Sequence, residues 1–89
     1  MAVELRFFAT FREAVGQKVL EREVAEGATV GDVLDDLVAE YGIDVYEDGE
    51  IRTQVSVMKN GKDVYHLDGK DTPLADGDTL SVFPPVAGG

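Results

Sequence analysis

One amphipathic helix is the strongest local signal in this sequence, and it limits the possible folds more than any other feature. Within residues 29–42, TVGDVLDDLVAEYG, apolar residues recur at the i, i+3, i+4, i+7, i+8 and i+11 positions. This spacing places them on one face of an α-helix. The residues are Val30, Val33, Leu34, Leu37, Val38 and Tyr41. Because only one face is apolar, the helix must cover the apolar face of another element, and a sheet is the natural candidate.

Both ends of this helix carry capping signals. Thr29 is suited to the N-cap position, and Asp32 follows three residues later, as in a capping box. Asp32, Asp35 and Asp36 lie toward the N-terminal end of the helix, where the positive end of the helix dipole stabilises acidic side chains. Gly42 provides the left-handed residue that commonly ends a helix. The sequence therefore predicts the limits of this helix as well as its apolar face.

Two segments near the N-terminus have the alternating pattern of β-strands. Residues 3–9, VELRFFA, place apolar side chains at every second position. Residues 18–24, KVLEREV, follow a connection that contains Gly16 and alternate less cleanly. Charged residues and mixed faces are typical of an edge strand. We therefore predict an inner strand followed by an edge strand.

The second half of the chain contains a predicted hairpin and a final strand. Residues 55–59 and 64–67 flank the Asn60-Gly61 pair, which favours a tight primed turn. Residues 79–83, TLSVF, form the last strand, with Leu80 and Val82 pointing to one side. The weakly periodic residues 43–54 are predicted to be an ordered loop.

The predicted order of elements is β-β-α-β-β-β, with the most apolar strands at the two ends of the chain. A single helix then crosses one face of a mixed sheet, and the first and last strands pair in its middle. This is an α+β arrangement of the β-grasp type. We expect residues 1–83 to form this domain and residues 84–89 to form a flexible C-terminal tail.

Composition argues against a catalytic or metal-binding domain. The chain has 89 residues and no cysteine, which excludes disulfides, iron–sulfur clusters and thiolate zinc sites. His66 is the single histidine, and a lone histidine on a strand is usually structural. The sequence shows no Ser/His/Asp set, phosphate-binding loop or pair of catalytic carboxylates. We therefore expect no catalytic residue, no metal site and no bound cofactor.

The charge is strongly negative: 18 acidic and 8 basic residues give −10 at pH 7. Such a surface repels nucleic acid. Two interpretations remain, a basic partner attracted by charge and a solvated acidic shell suited to high salt, and the scattered acids favour the shell. The sequence also lacks a membrane-length apolar segment and a signal peptide. We expect a cytoplasmic protein that is monomeric when free.

The C-terminus, FPPVAGG, combines stiff and permissive residues in a definite order. Gly88 and Gly89 lack Cβ atoms and therefore fit a narrow channel. The preceding spacer is predicted to hold the glycines away from the sheet, because proline fixes φ. Extended, the last six residues span up to about 20 Å. The spacer consists of Pro84, Pro85, Val86 and Ala87.

Three apolar residues are candidates for a partner-binding patch on the opposite face of the sheet from the helix. If Leu80 and Val82 face the helix, alternation turns Phe83 outward, and the same argument applies to Phe8. Met58 joins this face farther from the tail. The alternative is that Phe8 or Phe83 completes the core at the sheet edge. Both interpretations stay open at this point.

Several stretches of the sequence resemble the MoaD/ThiS sulfur-carrier family of ubiquitin-like proteins. They are residues 74–89, LADGDTLSVFPPVAGG, residues 5–16, LRFFATFREAVG, residues 28–37, ATVGDVLDDL, and residues 55–61, VSVMKNG. The resemblance covers essentially the whole chain, and with the acidic composition it is nearest to the small archaeal modifier proteins of halophilic archaea. Ser56 departs from the asparagine that these hairpins often carry.

The resemblance implies a β-grasp fold whose C-terminal Gly88 and Gly89 are the site of activation and conjugation. An E1-like enzyme would adenylate the C-terminal carboxylate with ATP. The activated carbonyl would then become a thiocarboxylate or be joined to a lysine of a target protein. Dedicated sulfur donation to the large subunit of molybdopterin synthase is one alternative. A passive β-grasp binding module with an inert terminus is another.

Overall fold

A five-stranded mixed sheet forms the body of residues 1–85, the part of the chain that this computed structural model describes. The spatial order is β2-β1-β7-β5-β6, with β1 and β7 parallel and the other pairs antiparallel. The first and last strands thus pair inside the sheet, which confirms the predicted β-grasp arrangement. The strands are β1 (Ala2–Phe7), β2 (Val19–Glu23), β5 (Ser56–Lys59), β6 (Lys62–Asp63) and β7 (Thr79–Phe83).

The core lies between one face of this sheet and a twelve-residue helix, α2 (Val30–Tyr41). On the sheet side, Leu5 lies beside Leu80 in the parallel β1–β7 pair, and both are fully buried. On the helix side, Leu34 and Leu37 are also fully buried. The inward direction predicted for Leu80 and Val82 is therefore confirmed.

The predicted ends of α2 are also confirmed. The Thr29 hydroxyl accepts a hydrogen bond from the Asp32 backbone N–H, and the Asp32 carboxylate accepts one from the Thr29 N–H. Gly42 ends the helix with φ 68°. This conformation is accessible to glycine without the steric cost that a Cβ atom imposes.

The structure contains a helix that the sequence did not predict. After β1, the chain forms α1 (Ala9–Val15), which ends at Gly16 with φ 82°. The prediction that Ala9 continues the first strand is therefore wrong, because the strand ends at Phe7 and Ala9 is exposed. Phe11 and Val15 are buried one helical turn apart.

The predicted loop 43–54 contains a small ribbon of two strands, β3 (Tyr46–Glu47) and β4 (Glu50–Ile51). The prediction that this segment is only a loop is therefore wrong in part. The two strands are joined by Asp48 and Gly49, with φ 53° and 82°. Two-residue strands are too short to show an alternating pattern, so periodicity could not predict them.

The prediction that residues 64–67 form the second arm of the hairpin is wrong. The Asn60-Gly61 turn is present, but β6 ends at Asp63 and the chain then forms a 3₁₀ turn, Val64–His66. The Asp63 carboxylate accepts a hydrogen bond from the Tyr65 N–H at 2.9 Å and caps this turn. The hydrogen bond between the Asp63 side chain and the backbone thus favours a turn where a strand was predicted. A second 3₁₀ turn, Gly69–Asp71, follows.

The outer strand β2 has the edge position that its mixed pattern predicts. It pairs only with β1 in the sheet formed by the described chain. Glu21 and Glu23 are exposed on it, and charges at a sheet edge discourage pairing with another chain.

Candidate functional site

Two aromatic rings, those of Phe8 and Phe83, lie in contact at the end of the parallel strands β1 and β7. Phe7 and Val82 are neighbours in the parallel β1–β7 pair, so the next residues, Phe8 and Phe83, lie at the same level. Their rings stack with centroids 4.2 Å apart and planes inclined by 13°. Because Val82 is fully buried on the helix side, strand alternation places Phe83 on the opposite, outer face.

Both rings are only half-buried. The core beneath α2 is closed by other residues, and neither Phe8 nor Phe83 belongs to its buried set. Of the two interpretations that the sequence left open, the geometry favours an outer aromatic pair over completion of the core. Its use as a partner-binding patch stays a prediction.

Met58 lies on the same outer face, as predicted, but it does not adjoin the rings directly. In the β5–β7 pair, Ser56 lies opposite Phe83 and Met58 lies opposite Ser81. Ser81 in turn lies beside Arg6 of β1. The polar residues Arg6, Ser56 and Ser81 therefore border the aromatic pair. These three residues were not predicted as part of the site, although strand alternation places them on the outer face.

The outer face becomes acidic away from the aromatic pair. Glu4 lies between Glu21 of β2 and Thr79 of β7. Its carboxylate accepts hydrogen bonds from the Arg6 Nε at 3.2 Å and the Thr79 hydroxyl at 3.3 Å. The face thus presents apolar surface at the end where the chain leaves β7 and carboxylates at the opposite end. A partner with an apolar centre and a basic flank would match it.

The chain leaves the sheet through the two prolines. Pro84 is buried and Pro85 is exposed, so the first proline packs on the body and the second reaches solvent. The remaining predicted site residues lie outside the described residues, and the boundary between a 1–83 domain and an 84–89 tail stays a prediction. These residues are Val86, Ala87, Gly88 and Gly89.

A buried carboxylate fixes the loop that leads into β7. Asp78 accepts hydrogen bonds from the Asn60 side-chain amide at 2.8 Å and the Ala75 N–H at 2.7 Å, and it lies 3.7 Å from the Lys59 ammonium. Burial acts to raise the pKa of Asp78, but these hydrogen bonds and the Lys59 charge outweigh it and hold the pKa below its ordinary value. The network ties the hairpin turn to the strand that carries the tail.

Within residues 1–85, no group of three or more histidine or carboxylate side chains is arranged to hold a metal ion. The ring of His66 meets the Tyr65 ring edge-on at 5.3 Å. No helix in the described part of the chain is long and apolar enough to cross a membrane.

A family model described as the ThiS family matches residues 5–89. The chain belongs to the ThiS family. Its relatives include the Small archaeal modifier protein 3 of Haloferax volcanii, which is 61% identical over 92 residues, covering all of both chains. The Sulfur carrier protein CysO of Mycobacterium tuberculosis is 36% identical over 80 residues, covering 83% of each. Both a modifier and a sulfur carrier are thus among the relatives of this ThiS-family protein.

A solved structure extends this similarity to a protein seen with a partner. A chain of the Amycolatopsis orientalis BexX/CysO complex superimposes on this ThiS-family protein with a TM-score of 0.79 and 28% identity. The match covers 98% of this chain and 99% of that chain. A chain similar to this one is therefore part of a complex between two proteins.

Proposed function

We propose that this ThiS-family protein is a ubiquitin-like modifier and sulfur carrier whose C-terminal Gly89 carboxylate is activated by an E1-like enzyme. The observation that supports this most is the point at which the chain leaves the sheet. The chain that ends in Gly88-Gly89 leaves the sheet at the end of β7, beside the stacked Phe8 and Phe83 rings. A partner that docks on the rings would thus hold the body close to the point where the tail begins.

The proposed first step is adenylation. A C-terminal carboxyl has a pKa near about 3.5, so at neutral pH it is an anion and a poor electrophile. One of its oxygens attacks the α-phosphorus of ATP, and pyrophosphate leaves. The acyl adenylate that results carries AMP as a good leaving group, so the Gly89 carbonyl can then be attacked.

Two second steps are open to the adenylate. In the first, hydrosulfide attacks the Gly89 carbonyl and displaces AMP. The product is a thiocarboxylate at Gly89. Alternatively, the amine of a target lysine attacks the carbonyl, AMP leaves, the amine loses a proton, and an isopeptide bond forms. The tail serves both steps equally, and the modifier and sulfur-carrier relatives support both.

A dedicated role in sulfur donation is the second candidate. The similarity to the Sulfur carrier protein CysO favours it, and the partner would then be a sulfur-accepting enzyme such as the large subunit of molybdopterin synthase. In this case thiocarboxylate forms but no target lysine is modified. A passive β-grasp binding module is a third possibility, in which the tail is inert.

We propose that the enzyme recognises the body through Phe8 and Phe83, with Met58 at the margin. Aromatic side chains are frequent anchors of interfaces because they bury a large area with few rotatable bonds. The half-buried Phe8–Phe83 stack can serve as such an anchor, because a partner can contact it without any rearrangement of the core.

The test is the intact mass of the protein after incubation with ATP and an E1-like enzyme in a cell lysate of Haloferax volcanii, which supplies the sulfur donor and the target proteins. Replacement of one oxygen by sulfur identifies the carrier, and a tryptic peptide whose lysine carries residues 71–89 of this chain as a branch identifies the modifier. A variant that lacks Gly88 and Gly89 should give neither product. If the full chain also gives neither, or if the truncated chain complements a deletion strain, the proposal is wrong.

A further inference from the structure

A cleft opens at the β5–β6 edge of the sheet, on the side of β5 away from β7. It has a volume of about 140 Å³ and lies beside the 3₁₀ turn Val64–His66. Its floor is aliphatic and Tyr65 stands at its rim, so we call it the Tyr65 cleft. The floor is formed by Ile51, Val55, Val57 and Val64.

The cleft exists because β6 ends after two residues. A longer β6 would cover this side of β5, but the Asp63-capped turn carries the chain away from it. The turn buries Val64 and leaves Tyr65 78% exposed and Leu67 43% exposed. These are two of the three large hydrophobic side chains that are exposed in the described part of the chain. Tyr65 lines the cleft, and an exposed aromatic ring beside an apolar cleft is typical of a contact surface.

The rim of the cleft carries an excess of negative charge. Glu50 and Asp63 are the two carboxylates, and Lys70 is the one cationic residue. The Lys70 ammonium already donates a hydrogen bond to the Gly49 carbonyl at 2.6 Å and lies 3.7 Å from Glu50. Asp63 has no ion pair within residues 1–85, and its bond to Tyr65 uses one of its two oxygens.

We propose that the Tyr65 cleft binds an arginine side chain presented by a partner polypeptide. The methylene stem of an arginine would lie on the aliphatic floor, as long cationic side chains do on apolar surfaces. The guanidinium would lie against the exposed Tyr65 ring and pair with Asp63. The chain's net charge of −10 at pH 7 attracts such a basic segment at long range.

This surface is centred on a different part of the sheet from the one proposed for activation. The Phe8–Phe83 stack lies at the end of the β1–β7 pair, whereas the cleft lies beyond β5 at the opposite edge of the sheet from β2. The two surfaces adjoin at Ser56, which lines the cleft and lies opposite Phe83 in the β5–β7 pair. We infer a second, non-covalent surface through which a basic protein segment recognises this modifier, independent of tail chemistry.

The test is NMR titration of the ¹⁵N-labelled full chain with the blocked tripeptide acetyl-Ala-Arg-Ala-amide. We expect saturable shifts in the amide signals of Ile51, Val64 and Tyr65. The matched probe replaces arginine with citrulline, which keeps the shape and removes the charge. The citrulline peptide should bind about threefold or more weakly, as expected for the loss of a partly exposed ion pair.

Variants locate the interaction. Tyr65→Ala and the double change E50Q/D63N should each weaken arginine-peptide binding about three- to fivefold. The control Glu21→Gln also removes a negative charge, but on β2, away from the cleft. It should leave binding unchanged within error. The proposal is overturned if the two peptides bind equally, if no saturable shift appears at the cleft, or if the shifts appear only around Phe8 and Phe83.

Discussion

Phe8 and Phe83 stack face to face, with ring centroids 4.2 Å apart, at the end of the two central parallel strands. An aromatic pair of this kind stabilises a protein by about 0.5–1.5 kcal/mol beyond its buried area. The two rings come from opposite ends of the sequence, so the stack also ties the start of the chain to the point where the tail begins. A change at either ring tests recognition, provided that stability is measured beside it.

Phe83→Asp should abolish most activation while the protein stays folded. The added carboxylate lies on the outer face rather than in the core, so we expect a loss of about 1–2 kcal/mol in the free energy of unfolding. The kcat/KM of the activating enzyme should fall about thirtyfold or more, as for loss of an interface hot spot. Urea denaturation and pyrophosphate release measure the two effects.

Phe83→Leu is the matched control, because it keeps an apolar side chain and loses only the stack. It should retain most of the activation rate. If Phe83→Asp unfolds the domain, the ring is part of the core after all. If Phe83→Asp is folded and activated normally, the patch is not the docking surface.

Gly31→Ala should destabilise the protein even though alanine is the better helix former. A Cβ atom at this position would lie 3.0 Å from the Lys70 backbone oxygen and 3.1 Å from the Lys70 Cβ. Overpacking of this kind costs about 1–3 kcal/mol, and only about 1 kcal/mol is recovered from helix propensity. Thermal unfolding measures the difference.

Gly42→Ala provides the comparison for this prediction. A Cβ atom there has open space, but the residue has φ 68°, so the cost should be about 1–2 kcal/mol from backbone conformation alone. A Gly31→Ala variant that is as stable as the wild type would show that the Lys70 segment moves away without cost.

Asp78 should make stability depend on pH in the acid range. Its pKa in the folded protein lies below the ordinary value of 3.8. Its contribution is therefore present above the unfolded-state pKa and is lost as pH falls through the folded-state pKa. Asp78→Asn should cost about 1–3 kcal/mol at neutral pH, because an amide replaces one hydrogen-bond acceptor by a donor. The variant should also lose less stability on acidification.

The control for this pH dependence is Asp68→Asn. Asp68 is exposed, and its carboxylate makes no hydrogen bond or ion pair within the described residues. Its replacement should leave the acid limb of the stability curve unchanged. Equal acid limbs for Asp78→Asn and the wild type, measured by urea denaturation from neutral to acid pH, would contradict the role given to Asp78.

The elements that the sequence predicted correctly are those with long patterns or strong local signals. The helical spacing of apolar residues in α2 extends over twelve residues, and both hydrogen bonds of its predicted capping box are present. The elements that it missed are short. Helix α1 has seven residues and no side-chain cap; the spacing of Phe11 and Val15 before Gly16 was its one signal. The turn at Val64 is capped by a hydrogen bond that the Asp63 carboxylate accepts from the Tyr65 N–H, and such local bonds compete with strand pairing.

The candidate site was predictable in part for the same reasons. Strand alternation placed Phe8 and Phe83 on the outer face, and pairing of the terminal strands brought them together. The distance between the rings depends on strand register, which alternation alone does not give. The Tyr65 cleft was not predictable, because it arises from the length of β6 rather than from any residue pattern.

The central claim is that the Gly89 carboxylate is the group on which this protein works. The most direct measurement is pyrophosphate release by the E1-like enzyme with ATP, comparing the native chain with a semisynthetic chain whose Gly89 ends in a carboxamide. The amide lacks the nucleophilic oxygen anion and leaves the body unchanged. We expect pyrophosphate release with the native chain and none above background with the amide. Equal release from both chains would contradict it.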